Sequence, residues 1–263
     1  MLVDSHCHLG SDEIYADLDD VIKRAHEAGV QYILNAGGKF NELPRQLEIC
    51  KKYPETVTVT GVHPHDAADY EHITTEDVLK NTLLPQVVAI GECGLDYFYD
   101  FSPKDVQIKV LKKMITAAQQ SALPIIIHSR EAEDDTAEIL TDAYKQKPFT
   151  GVLHCYSSAW KLASALLDIG FYVSASGIVT FKNSEELRTS FAKVPEERLL
   201  LETDSPYLAP IPLRGKVNEP SFMVHTAECL AKIKGLDFIK ISAITTNNFF
   251  ELFKNCLLYT SDA

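Results

Sequence analysis

The segment His6-Cys7-His8 follows the apolar start Met1-Leu2-Val3, and on an extended strand two residues of spacing bring both imidazoles to one face. Two nitrogen donors on one face are half of a metal site. Further ligand-type residues stand directly after other apolar, β-branched runs: His63 after Val57 to Val62, Glu92 after Val87 to Ile90, and His128 after Pro124 to Ile127. His154 follows Gly151 to Leu153, and Asp204 follows Leu199 to Leu201. A solitary histidine or acid in such a place is ordinarily a surface or capping residue. Here five of the nine histidines, with two acids, recur at the same end of six runs, and a shared metal centre explains that recurrence. His26, His65, His72 and His225 carry no such signal and read as ordinary polar residues.

Ligand type narrows the ion. Imidazole nitrogen mixed with carboxylate oxygen suits zinc, manganese, iron or nickel and argues against calcium or a thiolate site. Four histidines and two carboxylates exceed one tetrahedral shell, so two ions are expected, with one carboxylate bridging them. Two ions about 3.5–4 Å apart activate a water and stabilise the entering and leaving oxygens of a hydrolytic displacement.

The elements that must position these groups alternate along the chain. Helical spacing covers Leu18 to Ala28, about Asn41 to Lys52, Thr75 to Leu84, Pro103 to Ser121 and Asp134 to Lys145. It returns at Trp160 to Asp168, Glu185 to Ala192, Phe222 to Lys234 and Phe238 to Phe253. Tyr32 to Leu34 and Phe171 to Ser174 complete a set of eight strands. Eight strands alternating with helices predict a single (β/α)8 barrel of the TIM type, whose active site gathers at the C-terminal ends of the strands. No linker divides residues 1–255. The octapeptide Cys256 to Ala263 can be encoded by transposase-adaptor sequence, so 256–263 is expected to be a non-native tail.

Composition sets limits. At 263 residues and 46% hydrophobic, the chain has enough apolar residues for one large core. No apolar run approaches the roughly 18 residues of a membrane span, and the start lacks a signal-peptide pattern, so a cytoplasmic monomer is expected. The six cysteines are scattered singly, which makes a disulfide framework unexpected. A net charge of -12 excludes general electrostatic attraction to a polyphosphate, so a phosphate substrate must be drawn in locally.

The ordered set His6-Cys7-His8, Gly61-Val62-His63-Pro64-His65, Gly91-Glu92-Cys93-Gly94-Leu95-Asp96-Tyr97, Ile127-His128-Ser129-Arg130, His154-Cys155-Tyr156-Ser157 and Leu201-Glu202-Thr203-Asp204-Ser205-Pro206-Tyr207 resembles the successive motifs of the TatD family of metal-dependent deoxyribonucleases, within the amidohydrolase superfamily. Arg214 to Pro220 is similar to that family's late loop, and the likeness runs from about residue 2 to 254. The resemblance implies that His6, His8 and Asp204 hold one divalent ion (Mg, Mn or Zn), that His128 and His154 hold the other, and that Glu92 bridges them. It implies that Asp204 takes a proton from the attacking water, and that His63 and Arg130 face the substrate phosphate. Glu202 points the same way as Asp204, either as a support or as a further acid. The substrate it implies is DNA, single-stranded or at a 3′ end.

Two stretches depart from the pattern: Ser157-Ser158-Ala159, where a glycine is common, and Tyr99, where an arginine often stands. Losing that basic residue bears on substrate preference more than on the metal centre. Ser174-Ala175-Ser176-Gly177-Ile178 reads as a plain strand end. The same activated water could attack a carbonyl, as in a D-aminoacyl-tRNA deacylase or another acyl or amide hydrolase. A non-catalytic metal-binding barrel is the third reading, and the acid at Asp204 speaks against it. Fold alone does not separate the three.

Overall fold

Period-two alternation in the β-branched runs gives strands with one face toward a barrel axis and one toward surrounding helices. In the computed structural model, which describes residues 1–254, these strands form one parallel sheet in sequence order, β1 to β8. They are β1 Leu2–Cys7, β2 Val30–Asn35, β3 Thr56–Thr60, β4 Val87–Asp96, β5 Ile125–Arg130, β6 Gly151–Leu153, β7 Tyr172–Ala175 and β8 Leu199–Leu201. The helices are α1 Asp12–Tyr15, α2 Leu18–Glu27, α3 Leu43–Lys52, α4 Thr75–Asn81 and α5 Lys104–Ser121, then α6 Glu133–Gln146, α7 Trp160–Asp168, α8 Glu185–Lys193, α9 Met223–Lys234 and α10 Phe238–Leu252. This is the expected (β/α)8 barrel. The tail 256–263 lies outside the described residues.

Closure is made by backbone just past β8. Cys7 and Ser205 form a parallel bridge, the Asp204 N–H donates to the His6 carbonyl at 2.9 Å, and the His8 N–H donates to the Ser205 carbonyl at 2.8 Å. Beneath this seam the fully buried Asp4 carboxylate accepts from the Thr203 N–H (2.9 Å), the Thr203 hydroxyl (2.6 Å) and the His6 N–H (3.2 Å). Burial pushes the Asp4 carboxyl up to about 7 against the opposing pull of the Thr203 hydrogen bonds.

Two apolar layers follow from the alternation. One contains Val59, Ile126, Val152, Tyr172 and Leu200 from the strands, with Phe249 and Leu252 of α10 and Phe253 just after it. The other packs Ile125, Ile127, Leu153, Val173, Leu199 and Leu201 among residues of the surrounding helices. The last helix is tied to the start of the barrel by Thr246, whose hydroxyl donates to the Met1 carbonyl at 3.2 Å. Among the described residues no helix is long and apolar enough to cross a membrane.

Candidate metal centre

Continuing the inner face of each strand by two residues reaches the barrel mouth. Ile126 leads to His128, Val152 to His154, Val59 through Gly61 to His63, and Leu200 to Glu202 and Asp204. The strand β4 runs six residues beyond its expected end at Ile90, with a register shift between Ile90 and Cys93, so Glu92, Gly94 and Asp96 all belong to it. Gly94 sits at φ 153°, and a Cβ there would lie 1.9 Å from the His128 carbonyl oxygen, so only glycine lets β4 and β5 approach this closely.

The structure brings together every residue that the sequence places at the strand ends, around Glu92. One oxygen, Glu92 Oε1, lies 2.8 Å from His154 Nε2, 3.2 Å from His128 Nδ1 and 3.3 Å from His63 Nε2. The other, Oε2, lies 3.1 Å from His6 Nε2 and 3.8 Å from His8 Nε2. Asp204 Oδ1 completes that second side, 3.4 Å from His8 and 3.8 Å from His6. Asp204 adopts φ 57°, a left-handed conformation that aspartate tolerates better than most residues. The centre opens into a cavity of about 870 Å³ lined by His8, His63, Glu92, His128, His154 and Asp204, with Arg130 at its wall.

The buried donors fit divalent cations. His6 Nδ1, both nitrogens of His154 and Glu202 Oε2 are buried without a hydrogen bond, and each such orphan costs about 1–3 kcal/mol. Single ligand atoms of His6, His8 and Glu92, of His63, Glu92 and His128, and of His6, His154 and Glu202 fall within 4.8 Å of one another in each group. His63 is therefore as close to Glu92 as the other imidazoles are, nearer the centre than a purely phosphate-facing residue need be. Glu202 is fully buried behind the His154 ring, its Oε1 accepting from the Cys155 N–H at 2.6 Å and lying 3.6 Å from His154 Nδ1. That position favours orienting His154 over acting as a separate acid.

Electrostatics follow the same arrangement. Burial alone raises the Glu92 carboxyl, but the imidazoles of His154, His63 and His6 outweigh it and hold Glu92 well below the ordinary carboxylate range. Burial pushes His63 down to about 4, which leaves it neutral at pH 7. His128 and His154 move the other way: burial lowers each, and the neighbouring carboxylates, Asp96 for His128 and Glu92 for His154, more than offset it.

Two residues of the mouth escaped sequence reasoning. Asp96 Oδ2 lies 3.0 Å from His128 Nε2 and 2.8 Å from His65 Nε2, while its Oδ1 accepts the N–H groups of Phe98 and Tyr99, both at 3.1 Å. The spacing Glu92, Gly94, Asp96 was the available signal. His65 had none beyond its place in His63-Pro64-His65. The late loop works from behind: Asn218 Nδ2 donates to the carbonyls of Thr203 (2.9 Å) and Tyr207 (2.6 Å), and Glu219 is hydrogen-bonded to the Arg24 guanidinium on α2 at 2.7–3.0 Å. The Asn218 bonds hold the segment that carries Asp204, and the Glu219 pair ties the loop itself to α2.

A parallel eight-stranded barrel with imidazoles and carboxylates converging on one glutamate at its mouth is the arrangement of a metal-dependent hydrolase. The chain belongs to the TatD-related DNase family, whose model matches residues 3–254. It is 39% identical over 257 residues to the uncharacterised metal-dependent hydrolase YabD of Bacillus subtilis, covering 97% of this chain and 99% of that one. It is 32% identical over 258 residues to the 3′-5′ ssDNA/RNA exonuclease TatD of Salmonella typhimurium, covering 96% of this chain and 99% of the relative. Among solved structures it is similar to the TatD homologue YJJV of Escherichia coli, with a TM-score of 0.90, 26% identity and coverage of 96% and 98%.

Proposed function

We propose that this hydrolase is a deoxyribonuclease that shortens single-stranded DNA from its 3′ end, using two divalent ions drawn from magnesium, manganese or zinc. The observation that carries the reading is the division of Glu92, one oxygen facing His63, His128 and His154 and the other facing His6 and His8. His6, His8 and Asp204 would hold one ion and His128 and His154 the other, with Glu92 between. Bound there, such ions acidify a water and stabilise charge on the phosphate oxygens. Asp204, on the cavity wall, accepts the proton of the attacking water at a carboxylate oxygen. Arg130 and His63 orient the phosphate, Arg130 by charge and His63 as a neutral hydrogen-bonding group. Glu202 fixes the His154 ring from behind. The exonuclease name of the Salmonella relative supports the choice of substrate, and the local cation at Arg130 supplies the attraction that a net charge of -12 does not.

The test is a paired assay. Metal-stripped protein is reloaded with magnesium, manganese or zinc and given 3′-unblocked, 5′-labelled single-stranded DNA, beside Glu92→Ala and Asp204→Ala. Metal-dependent shortening from the 3′ end, abolished by both substitutions, is expected. Intact DNA under every metal, with ions bound, would overturn the reading and move the reaction to acyl or amide substrates.

A further inference from the structure

The segment between β4 and α5 carries three large aromatic side chains that the fold leaves in solvent at the rim of the cavity: Phe98, Tyr99 and Phe101 are 50%, 40% and 63% exposed. Scattered exposed aromatics are common and need no ligand. These are contiguous, and Tyr99 and Phe101 line the same cavity as Glu92. Their rings stack on each other at 5.2 Å between centroids and 22° between planes. The Arg130 guanidinium lies 3.9 Å from the Phe98 ring centroid and 4.8 Å from that of Tyr99. Across the mouth Tyr207, 58% exposed, sets its ring 6.0 Å from that of His8.

The backbone on either side of the rings is held in place. Asp96 Oδ1 accepts the N–H groups of Phe98 and Tyr99, the Ser102 hydroxyl donates to the His65 carbonyl at 2.8 Å, and Gln107 Nε2 donates to the Ser102 carbonyl at 2.9 Å. Aromatic faces fixed before a ligand arrives lose little freedom on binding it.

We infer that Tyr99 and Phe101, with Arg130 against the Tyr99 ring, form a stacking shelf for unpaired nucleobases of the strand whose phosphate lies at the metal centre. This inference rests on the nuclease reading and adds how the substrate is gripped. A net charge of -12 gives no general attraction for phosphates beyond Arg130 and ions at the metal centre, so non-ionic contacts gain weight, and a base offers a flat face to a ring. Paired bases in a duplex present no free faces, so the shelf selects single strands. It also gives Tyr99 a use at the position where the resemblance expects arginine: a ring surface in place of a charge.

The test compares kcat/KM of the metal-loaded enzyme on a single-stranded oligonucleotide and on the same strand with abasic residues at its three 3′-terminal positions. The wild type is expected to favour the base-bearing strand by about tenfold or more, mainly through KM, and Phe101→Ala and Tyr99→Ala are expected to bring that ratio toward one. Phe101→Tyr, which keeps a ring, should restore it. Binding is read separately, with 2-aminopurine near the 3′ end, in the Asp204→Asn background that prevents cleavage. The emission change on binding should be lost when Phe101→Ala is added. Equal turnover of both strands, or a ratio unaltered in the two alanine variants, overturns the shelf while leaving the nuclease standing. Ring-dependent emission changes with no cleavage by the wild type would keep the shelf and remove the nuclease reading.

Discussion

Replacing Asp96 by asparagine changes one atom and sets the two halves of the mouth against each other. The carboxylate serves four donors, two imidazoles through Oδ2 and two backbone N–H groups through Oδ1. An amide has only one acceptor oxygen, so one pair of donors must face an NH2 group. If the NH2 turns to His128, the imidazole accepts at Nε2 and its proton moves to Nδ1. That nitrogen lies 3.2 Å from Glu92 and must be unprotonated to ligate an ion. Loss of such an orienting carboxylate typically lowers metal affinity by about 10–100-fold, or about 1.4–2.7 kcal/mol. If the amide turns the other way, the Phe98 and Tyr99 N–H groups lose their acceptor and the aromatic segment loosens instead. Titration calorimetry of zinc into metal-stripped Asp96→Asn, beside the wild type and with a thermal melt of both metal-free proteins, separates affinity from folding. Weakening of one ion by at least tenfold is expected. Both ions binding within twofold of the wild type, with the metal-free melt also unchanged, would contradict this division of Asp96.

Three further outcomes follow from the same structure. Asp4→Ala leaves the Thr203 N–H, the Thr203 hydroxyl and the His6 N–H buried without their acceptor, and urea denaturation should show a loss of about 3 kcal/mol with an unchanged slope. Chelation should lower the melting temperature by roughly 16–32 °C, because each of two ions held at about 1,000 times its dissociation constant contributes about 4 kcal/mol and a chain of this size moves roughly 2–4 °C per kcal/mol. Cys50, which burial pushes from 9.0 up to about 11, should be alkylated by iodoacetamide at pH 8 about 100-fold more slowly than an ordinary thiol from thiolate fraction alone, and fully once unfolded in urea.

The barrel and the residues that meet at its mouth were legible because both are written locally. A run such as Ile125-Ile126-Ile127 announces a strand, and the next inward position, His128, falls where strand ends converge. Helix bounds came within a few residues, as at Trp160–Asp168, because apolar spacing and stop signals are local too. What escaped was β4 beyond Ile90. Gly91-Glu92-Cys93-Gly94-Leu95-Asp96 has the low β-propensity of a loop, and the pairing of Cys93 to Asp96 with Ile127 to Arg130 keeps it extended. Asp96 was hidden with it, and so was the link from His128 to the aromatic segment. The seam between Asp4 and Thr203 was invisible for a related reason, since it joins residues 199 positions apart.

The measurement that bears most directly on the central claim is anomalous diffraction from crystals of the zinc-loaded protein. Two ions about 3.5–4 Å apart are expected, one on each side of the Glu92 carboxylate, and at most one in Glu92→Ala crystals. A single ion in the wild type, or a pair that Glu92→Ala leaves in place, would contradict that claim.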